Sequence, residues 1–456
     1  MLIGIDLGTS FIKGALLDPD GLRVSHIQRV PFPAPLPGLA PGRWEFDPLA
    51  IMRAVRGLLD TLLAGAGECD GLLICGQMHG LVFTTQQGEP RSNFTSWQDQ
   101  RLLEPHPSGQ GSYFDFMKGQ LSADEVKQLG NDLRPGLPLG QCFWLAQQGA
   151  FEPGLSPASL PDFVLANLCH AAPNSEPTNA MAHGALNLES MDWHWPVLER
   201  LGLGRLNWPA IRRSGEVAGW WISGSQRIAC YTPVGDAQCA LAGALLQSGE
   251  LSLNIATGSQ ISLLRPRVTF GNFATRPYFD GRCLVTVADI PAGRALSLLV
   301  KLLSELAGAQ QVELADPWPY IVKAAAEAGQ TDLRAEISFF HSDCGEEGQL
   351  TRLREETLTV GHLFRAAFQN MADNYHSCAL RLSPEQEWTG LVFSGGLAQK
   401  IDILRQLICE KFKVDYRLSP MSEDTLLGLL TLALAFTGRA QSVEQATALL
   451  LEKFTA

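Results

Sequence analysis

A short polar turn between two apolar segments near the start of the chain has the residue types of a phosphate site. Residues 2–17 place Gly8, Thr9 and Ser10 between two predicted strands. A glycine-containing hairpin turn directs backbone N–H groups outward, and the two hydroxyl groups add donors, so the turn suits an anion. Asp6 ends the first strand, where its carboxylate can hold a hydrated Mg²⁺ ion. The alternative for this stretch alone is an ordinary hairpin with a glycine turn.

A second stretch repeats this pattern much later in the chain. Residues 251–264 again place a small hydroxyl-rich turn, with Thr257 and Gly258, between two apolar segments. The recurrence predicts an internal duplication of the fold, in which two facing hairpins would hold a polyphosphate from both sides. A later Ser-Gly-Gly run adds Gly395 and Gly396, which would let a flat ligand or a sugar approach the start of a helix.

One aspartate has the position expected of a catalytic carboxylate. Asp236 follows a predicted strand at 227–232 and precedes a segment of small apolar residues at 239–246. Phosphoryl transfer needs alignment and charge neutralisation, together with a carboxylate that accepts the proton of the attacking hydroxyl. Asp236 can supply that carboxylate, and the alternative is that it only caps the helix.

Two polar loops offer the parts of a carbohydrate site, which are an aromatic face for C–H groups and polar groups for hydroxyls. The residues that these loops carry are Gln77, Met78, His79, Trp97, Asp99 and Arg101. The alternatives are a turn with a solvated histidine and a tryptophan that belongs to the core. A further small, polar segment at 178–188 is predicted to be a loop near a site.

Local signals also predict individual elements. Asp47 is a plausible N-cap, with Pro48 in the first turn, for a helix that extends to about residue 63. Residues 21–30 are predicted to continue the first sheet as a third strand, and residues 399–410 are predicted to form one helix.

Composition excludes several functional classes. The chain has 456 residues, 46% of them hydrophobic, which indicates two or three domains. The net charge of −12, without a basic stripe, disfavours binding to nucleic acid or to anionic lipid. No apolar run reaches the roughly 18 residues that span a bilayer. The ten cysteines show no C-x-x-C pair, so we expect reduced thiols in a cytoplasmic protein and no zinc site.

The motifs form one ordered set. In chain order they are Asp6-x-Gly-Thr-Ser, Gly76-Gln-Met-His-Gly, Trp97-x-Asp-x-Arg, Gly235-Asp236, Thr257-Gly-Ser and Ser394-Gly-Gly. In this order and at these spacings the chain resembles the FGGY carbohydrate kinases, a family of the actin-like ATPase superfamily. Within that family it is most similar to the ketose kinases, sedoheptulokinase and xylulokinase. Gln98 and the Asn254-Ile255 pair favour the former.

The resemblance implies an α/β fold of two ribonuclease H-like domains with a deep cleft between them, each with a mixed, largely parallel sheet. The N-terminal domain would span 1–231 and the C-terminal domain 232–456. The implied activity is ATP-dependent phosphorylation of a primary hydroxyl of a ketose, sedoheptulose above others. Xylulose, ribulose or another polyol remain alternative substrates, and a catalytically weak sugar sensor remains an alternative from another class. The partner is a small-molecule sugar, and a homodimer is left open.

The resemblance also assigns roles by position. Asp236 would be the catalytic base, and Asp6 and Asp236 would hold Mg²⁺. The residues implied to bind the nucleotide are Gly8, Thr9, Ser10, Lys13, Thr257, Gly258, Gly395 and Gly396. Those implied to contact the sugar are Gln77, Met78, His79, Trp97 and Asp99. Three departures from the family pattern bear on ATP affinity and substrate choice: Phe11 replaces a hydroxyl residue, Ala256 replaces a glycine, and residues 339–345 lack the Gly-Glu-Arg pattern.

Overall fold

Two mixed β-sheets organise the chain in the computed structural model, which describes residues 1–150 and 152–455. The strands of the first half are β1 Leu2–Leu7, β2 Phe11–Asp18, β3 Arg23–Pro31, β4 Glu45–Phe46, β5 Gly71–Gly76, β6 Val82–Thr84, β7 Phe94–Thr95, β8 Ser156–Ala158, β9 Asn174–Ser175, β10 Leu186–Asn187, β11 Asp192–Trp193, β12 Ala210–Ile211, β13 Val217–Ser223, β14 Gln226–Tyr231 and β15 Val234–Gly235. Those of the second half are β16 Glu250–Ile255, β17 Ser259–Arg265, β18 Ala274–Pro277, β19 Cys283–Ile290, β20 Arg334–Glu336, β21 Gln349–Thr351, β22 Gly390–Ser394 and β23 Tyr416–Leu418.

Helices surround these sheets. They are α1 Pro48–Ala66, α2 Tyr113–Gly119, α3 Ala123–Gln128, α4 Pro138–Gln147, α5 Leu160–Cys169, α6 Pro177–Ala180, α7 Trp195–Arg200, α8 Asp236–Gly243, α9 Gly293–Ala309, α10 Trp318–Glu327, α11 Val360–Leu382, α12 Gly396–Lys400, α13 Asp402–Phe412, α14 Asp424–Phe436 and α15 Val443–Thr455. The prediction of one helix over 399–410 is therefore wrong, because two helices share this range and the helical backbone is interrupted at Ile401, between α12 and α13. No helix in the described ranges is long and apolar enough to cross a membrane.

The first sheet has the strand order β13-β14-β5-β1-β2-β3, with β15 added beside the end of β5. The hairpin strands β1, β2 and β3 are antiparallel to one another, whereas β5 runs parallel to β1. On its other side β5 pairs in parallel with β14 at its start and with β15 at its end. The carboxyl ends of β1, β5 and β15 therefore lie side by side at one edge of the sheet.

The second sheet repeats this topology. Its order is β18-β19-β17-β16-β22-β23, in which the β16–β17 hairpin is antiparallel and β22 and β23 continue in parallel. Strands β16, β17 and β19 thus correspond to β1, β2 and β3. The expected predominance of parallel pairing is wrong, because antiparallel neighbours are at least as common as parallel ones in the described part of both sheets.

Helix α1 shows how local sequence builds one layer. The Asp47 side chain accepts a 2.8 Å hydrogen bond from the backbone N–H of Leu49 and caps the helix, and Pro48 occupies its first turn. The buried face of α1, which includes Val55, Leu59 and Leu62, belongs to the same core as strands β1 and β5. The predicted cap and start of this helix are confirmed.

Helices α8 and α14 form an apolar layer that contacts both sheets. Their core includes Leu2 from the first sheet and Leu264 from the second. The helices approach so closely that a Cβ atom on Gly243 would overlap the carbonyl oxygen of Asp424, and one on Gly428 would overlap that of Cys239. Only glycine permits this crossing, which places the N-termini of α8 and α14 near the ends of β15 and β1.

Candidate active site

Asp6 and Asp236 meet at the edge where β1, β5 and β15 end. In the sheet register Asp6 pairs with Cys75, and Gly235 pairs with Gly76, so the two carboxylates flank the end of β5 at the same level. The negative charge of Asp6 acts directly on Asp236. The sequence separates these residues by more than half of the chain, and the parallel strand order brings them together.

The environment of Asp236 tunes its proton affinity. Burial, and then the charge of Asp6, raise the pKa of Asp236 to about 7. The backbone N–H groups of Ala237 and Met78, together with the positive charge of Arg276, act in the opposite direction. A carboxylate with a pKa near neutrality is suited to accept a proton at physiological pH.

Asp6 is anchored by residues from the far end of the chain. The hydroxyl of Thr425 donates a 2.7 Å hydrogen bond to Oδ2 of Asp6, and burial raises the pKa of this carboxylate. Lys13 lies opposite Asp6 in the register of the β1–β2 hairpin. Its Nζ forms an ion pair of 2.5 Å with Oε2 of Glu423. Neither Thr425 nor Glu423 was identified from the sequence.

Asp6 and Asp236 carry the type of ligand atom that Mg²⁺ prefers. Mg²⁺ keeps several water molecules and is usually bound by one or two carboxylates together with substrate phosphates. In the described residues no group of three or more His, Cys, Asp or Glu side chains could hold a metal ion. Two carboxylates and an open phosphate turn match such a shared site better than a site made by protein ligands alone.

The first turn predicted to bind phosphate, at residues 8–10, is exposed to solvent. Thr9 and Ser10 are exposed, and the backbone of Ser10 is fixed by a 3.0 Å hydrogen bond from the N–H of Phe32. The indole N–H of Trp97 donates to Oγ1 of Thr9 at 3.3 Å, so the aromatic residue of the second polar loop lies against this turn. Trp97 is 43% exposed, which leaves part of its ring free for another contact.

The second phosphate turn is also exposed and is fixed by its neighbours. Thr257 accepts a 2.8 Å hydrogen bond at its backbone oxygen from the N–H of Arg294, at the start of α9. Gly258 has open space where a side chain would point. Beside it, Gly395 has a φ of 86°, and a Cβ there would lie 2.5 Å from the backbone oxygen of Ile255, so only glycine fits.

The loop after β5 carries Gln77, Met78 and His79 to the same edge as Asp236. Gln77 is buried, and its Oε1 atom has no hydrogen-bond partner among the described residues. Met78 lies against Gly235, where a Cβ would be 3.1 Å from the Met78 sulfur. His79 has a φ of 72°, and burial lowers its pKa to about 3, so its ring is neutral at physiological pH.

Asp99 has a different environment from the other residues of these loops. Its side chain is fully buried, and its two oxygens accept hydrogen bonds from Nε and Nη2 of Arg101 at 2.7 and 2.9 Å. The backbone N–H of Trp44 donates a third bond of 2.8 Å. The Asp99 carboxylate therefore holds the loop that bears Trp97. The hydrogen bonds from the Arg101 side chain, followed by its charge, also keep the pKa of Asp99 below its usual value despite burial.

An ion network that the sequence analysis missed joins the two halves of the chain beside His79 and Asp236. Arg276 in β18 donates to Asp132 at 2.7 Å, and Arg134 donates to the other oxygen of Asp132 at 2.8 Å. These three charges act on His79, and Arg276 also acts on Asp236. No local pattern marks this network, because its members pair only after the sheets have formed.

Comparison with known proteins identifies the family. The FGGY family of carbohydrate kinases, N-terminal domain, matches residues 1–229. The chain belongs to the FGGY family of carbohydrate kinases. Sedoheptulokinase from Mus musculus is 26% identical over 90% of this chain and 92% of its own length. A solved xylulose kinase from Lactobacillus acidophilus superposes with a TM-score of 0.82 at 18% identity, covering 98% of this chain and 91% of the other. The solved structure of Plasmodium falciparum glycerol kinase with ADP superposes with a TM-score of 0.83 at 18% identity, covering 98% of this chain and 92% of the other.

The family match confirms several expectations. This FGGY protein is a carbohydrate kinase that uses ATP, and it has the actin-like fold of two α/β domains with a cleft between them. Its partner is a small-molecule sugar. Sedoheptulose as the substrate, Mg²⁺ as the metal and the roles of individual residues remain predictions.

Proposed function

We propose that this kinase transfers the γ-phosphoryl group of ATP to a primary hydroxyl of a ketose, with sedoheptulose as the preferred substrate. The observation that carries the proposal is the position of Asp236, beside Asp6 and next to the polar loop of Gln77 and His79. A carboxylate with a pKa of about 7 lies beside Asp6 and accepts a hydrogen bond from the backbone N–H of Met78, in the loop suited to a sugar. The similarity to sedoheptulokinase over nine tenths of the chain supports the choice of sugar.

In the proposed mechanism Asp236 is the general base. It accepts the proton of the attacking hydroxyl as the new oxygen–phosphorus bond forms. ATP would supply the phosphoryl group, and Asp6 and Asp236 would hold Mg²⁺, which would neutralise the charge on that group. The open turns at Thr9–Ser10 and at Thr257–Gly258 would bind the phosphates from opposite sides. Lys13 would reach the same phosphates after it leaves Glu423.

The sugar would bind to Trp97 and to the loop that follows β5. The free Oε1 atom of buried Gln77 can accept a hydrogen bond from a sugar hydroxyl, which supports its role. Neutral His79 can both donate and accept. Asp99 would act through Trp97, whose loop it fixes, because its own oxygens are already engaged.

We also propose the division into domains at residues 231 and 232. The family match that ends at residue 229 supports this division. Residues 1–231 would provide the sugar-binding loops and the first phosphate turn, and residues 232–456 would provide the second turn and the Gly395–Gly396 approach to the nucleoside. Substrate binding would then close the cleft by a domain movement.

The test is an assay of ADP release with Mg²⁺·ATP across sedoheptulose, xylulose, ribulose, gluconate and glycerol. We expect the highest kcat/KM with sedoheptulose, and no sugar-independent release at a comparable rate. A pentulose that exceeded sedoheptulose in kcat/KM would overturn the substrate and leave the kinase chemistry intact. Equal turnover with and without any sugar would overturn the proposed transfer itself.

A further inference from the structure

Two cysteines of the C-terminal half lie close enough to react with each other. The Sγ atoms of Cys344 and Cys378 are 3.9 Å apart, and one residue away Asp343 forms an ion pair of 3.7 Å with Arg381. Cys344 belongs to the loop between β20 and β21, whereas Cys378 is buried in α11. We infer that Cys344 and Cys378 form a reversible disulfide when the protein meets a peroxide, with Cys344 as the attacking thiol.

The surroundings single out this pair. Two other pairs of cysteines have neighbouring thiols. In the first pair, Cys75 and Cys239 are completely buried, and the nearby negative charges of Asp6 and Asp236 disfavour a thiolate at either residue. Cys169 has its thiol beside Cys230, and no basic side chain of the described residues contributes to its pKa shift.

Cys344 differs in its access and in its partner. It is half-buried, so a small oxidant can reach it. The hydrogen bond from Cys378 lowers the pKa of Cys344 despite burial and the negative charge of Asp343, and Arg381, which pairs with Asp343, acts in the same direction as Cys378. Cys409 is equally half-buried, but burial raises its pKa to about 11. Cys409 is therefore an accessible thiol that should react slowly, and it serves as an internal control.

The chemistry balances with hydrogen peroxide as the oxidant. The Cys344 thiolate attacks one peroxide oxygen and displaces hydroxide, which gives a sulfenic acid. The Cys378 sulfur then attacks the sulfenic sulfur, and the hydroxyl group leaves as water after it takes up the thiol proton. Two thiols and one peroxide thus yield one disulfide and two water molecules, and an added dithiol reverses the step.

The bond would join two elements that are connected to the second phosphate turn, α11 directly and the loop through Arg294, whose backbone N–H donates to Thr257. On α11, the hydroxyl of Tyr375 donates a 2.8 Å hydrogen bond to Ser259, the residue after Gly258. In the loop, the ring of Phe340 lies 4.1 Å beneath the guanidinium of Arg294. The disulfide would therefore join covalently the helix and the loop that support this turn.

The test treats the native, full-length protein with a few equivalents of hydrogen peroxide, alkylates the remaining thiols and maps the peptides by mass spectrometry. We expect a Cys344–Cys378 link before any change at Cys409 or Cys169, with full recovery of both thiols after dithiothreitol. Arg381→Gln should slow the link severalfold, whereas Arg381→Lys should retain the rate. The inference is overturned if Cys344 advances to a sulfinic acid without the link, if Cys169–Cys230 links first, or if no link forms.

Discussion

The backbone N–H of Gly235 donates a 3.0 Å hydrogen bond to the side-chain oxygen of Thr178. The same threonine hydroxyl donates to Oε2 of Glu176, and Ser214 donates to the other oxygen of that carboxylate. All of these groups except Ser214 are buried. The short strand that presents Asp236 is therefore attached to a buried polar chain, which fixes the carboxylate relative to the loop of Met78.

Replacement of Thr178 by valine should lower kcat more than it changes either KM. The valine keeps the shape but leaves the buried Gly235 N–H without an acceptor, which costs about 1–3 kcal/mol of stability. A shift of the strand that carries the base can reduce turnover by up to about 100-fold. Thr178→Ser, which retains the hydroxyl, is the matched control. Steady-state kinetics and urea unfolding of both variants measure the effect, and a valine variant with normal kcat would contradict it.

The acid limb of the pH–rate profile should report Asp236. Its pKa of about 7 means that the base becomes protonated as the pH falls through neutrality. We expect kcat/KM to level off above pH 7 and to decrease about tenfold per pH unit well below it. The profile of kcat/KM is measured with the preferred ketose and Mg²⁺·ATP both well below their KM values, so that it reports the free enzyme. A profile that stayed flat down to pH 5 would contradict the raised pKa.

The variant Asp6→Asn separates the two causes of this raised pKa. It removes the neighbouring negative charge but leaves the burial, so the acid limb should move to lower pH while the maximal rate also falls through weaker metal binding. An unchanged midpoint would mean that burial alone sets the pKa.

The crossing of α8 and α14 should not tolerate a side chain at Gly428. Alanine there would overlap the carbonyl oxygen of Cys239, so the helices would have to separate, and we expect a loss of about 1–3 kcal/mol in unfolding free energy. Gly57 in α1 has open space around it, so Gly57→Ala should instead stabilise by about 0.4–1 kcal/mol. Thermal unfolding of both variants tests the prediction, which fails if the two changes have the same sign.

Asp132 should contribute a pH-dependent part of the stability. The positive charges of Arg276 and Arg134 hold the pKa of this buried carboxyl well below its usual range despite the burial. Because the pKa is lower in the folded state, the stabilisation is present at neutral pH and is lost as the pH falls below about 4. Asp132→Asn leaves Arg276 without its buried partner and should cost about 3–5 kcal/mol at pH 7. As the pH falls, the unfolding free energy of Asp132→Asn should approach that of the wild type. A difference between the two proteins that did not change with pH would contradict this prediction.

Local signals explain what the sequence predicted well. The two hairpins were visible because each turn and both of its strands are contiguous. The helix at Pro48 was visible because Asp47 and the proline are themselves the start signal. The carboxylates of Asp6 and Asp236 could be placed at strand ends for the same reason. Their proximity followed only from the resemblance to the FGGY family.

Long-range pairing explains what the sequence did not predict. The contact of Thr425 with Asp6 depends on the packing of α14, and that of Arg276 with Asp132 depends on the position of strand β18. No residue spacing along the chain predicts either contact. Asp99 illustrates a different limit. A carboxylate and a guanidinium two residues apart can face a ligand or each other, and only the structure distinguishes these arrangements.

The most direct test of the account is the turnover of Asp236→Asn. This variant keeps the size of the side chain and loses the proton acceptor, and it should be compared with Asp192→Asn, an exposed residue of strand β11. We predict that Asp236→Asn binds the ketose with an affinity near the wild type, while kcat falls by about 10²–10⁴-fold. Asp192→Asn should keep full activity. Near wild-type turnover of Asp236→Asn with any sugar would contradict the assignment of Asp236 as the base.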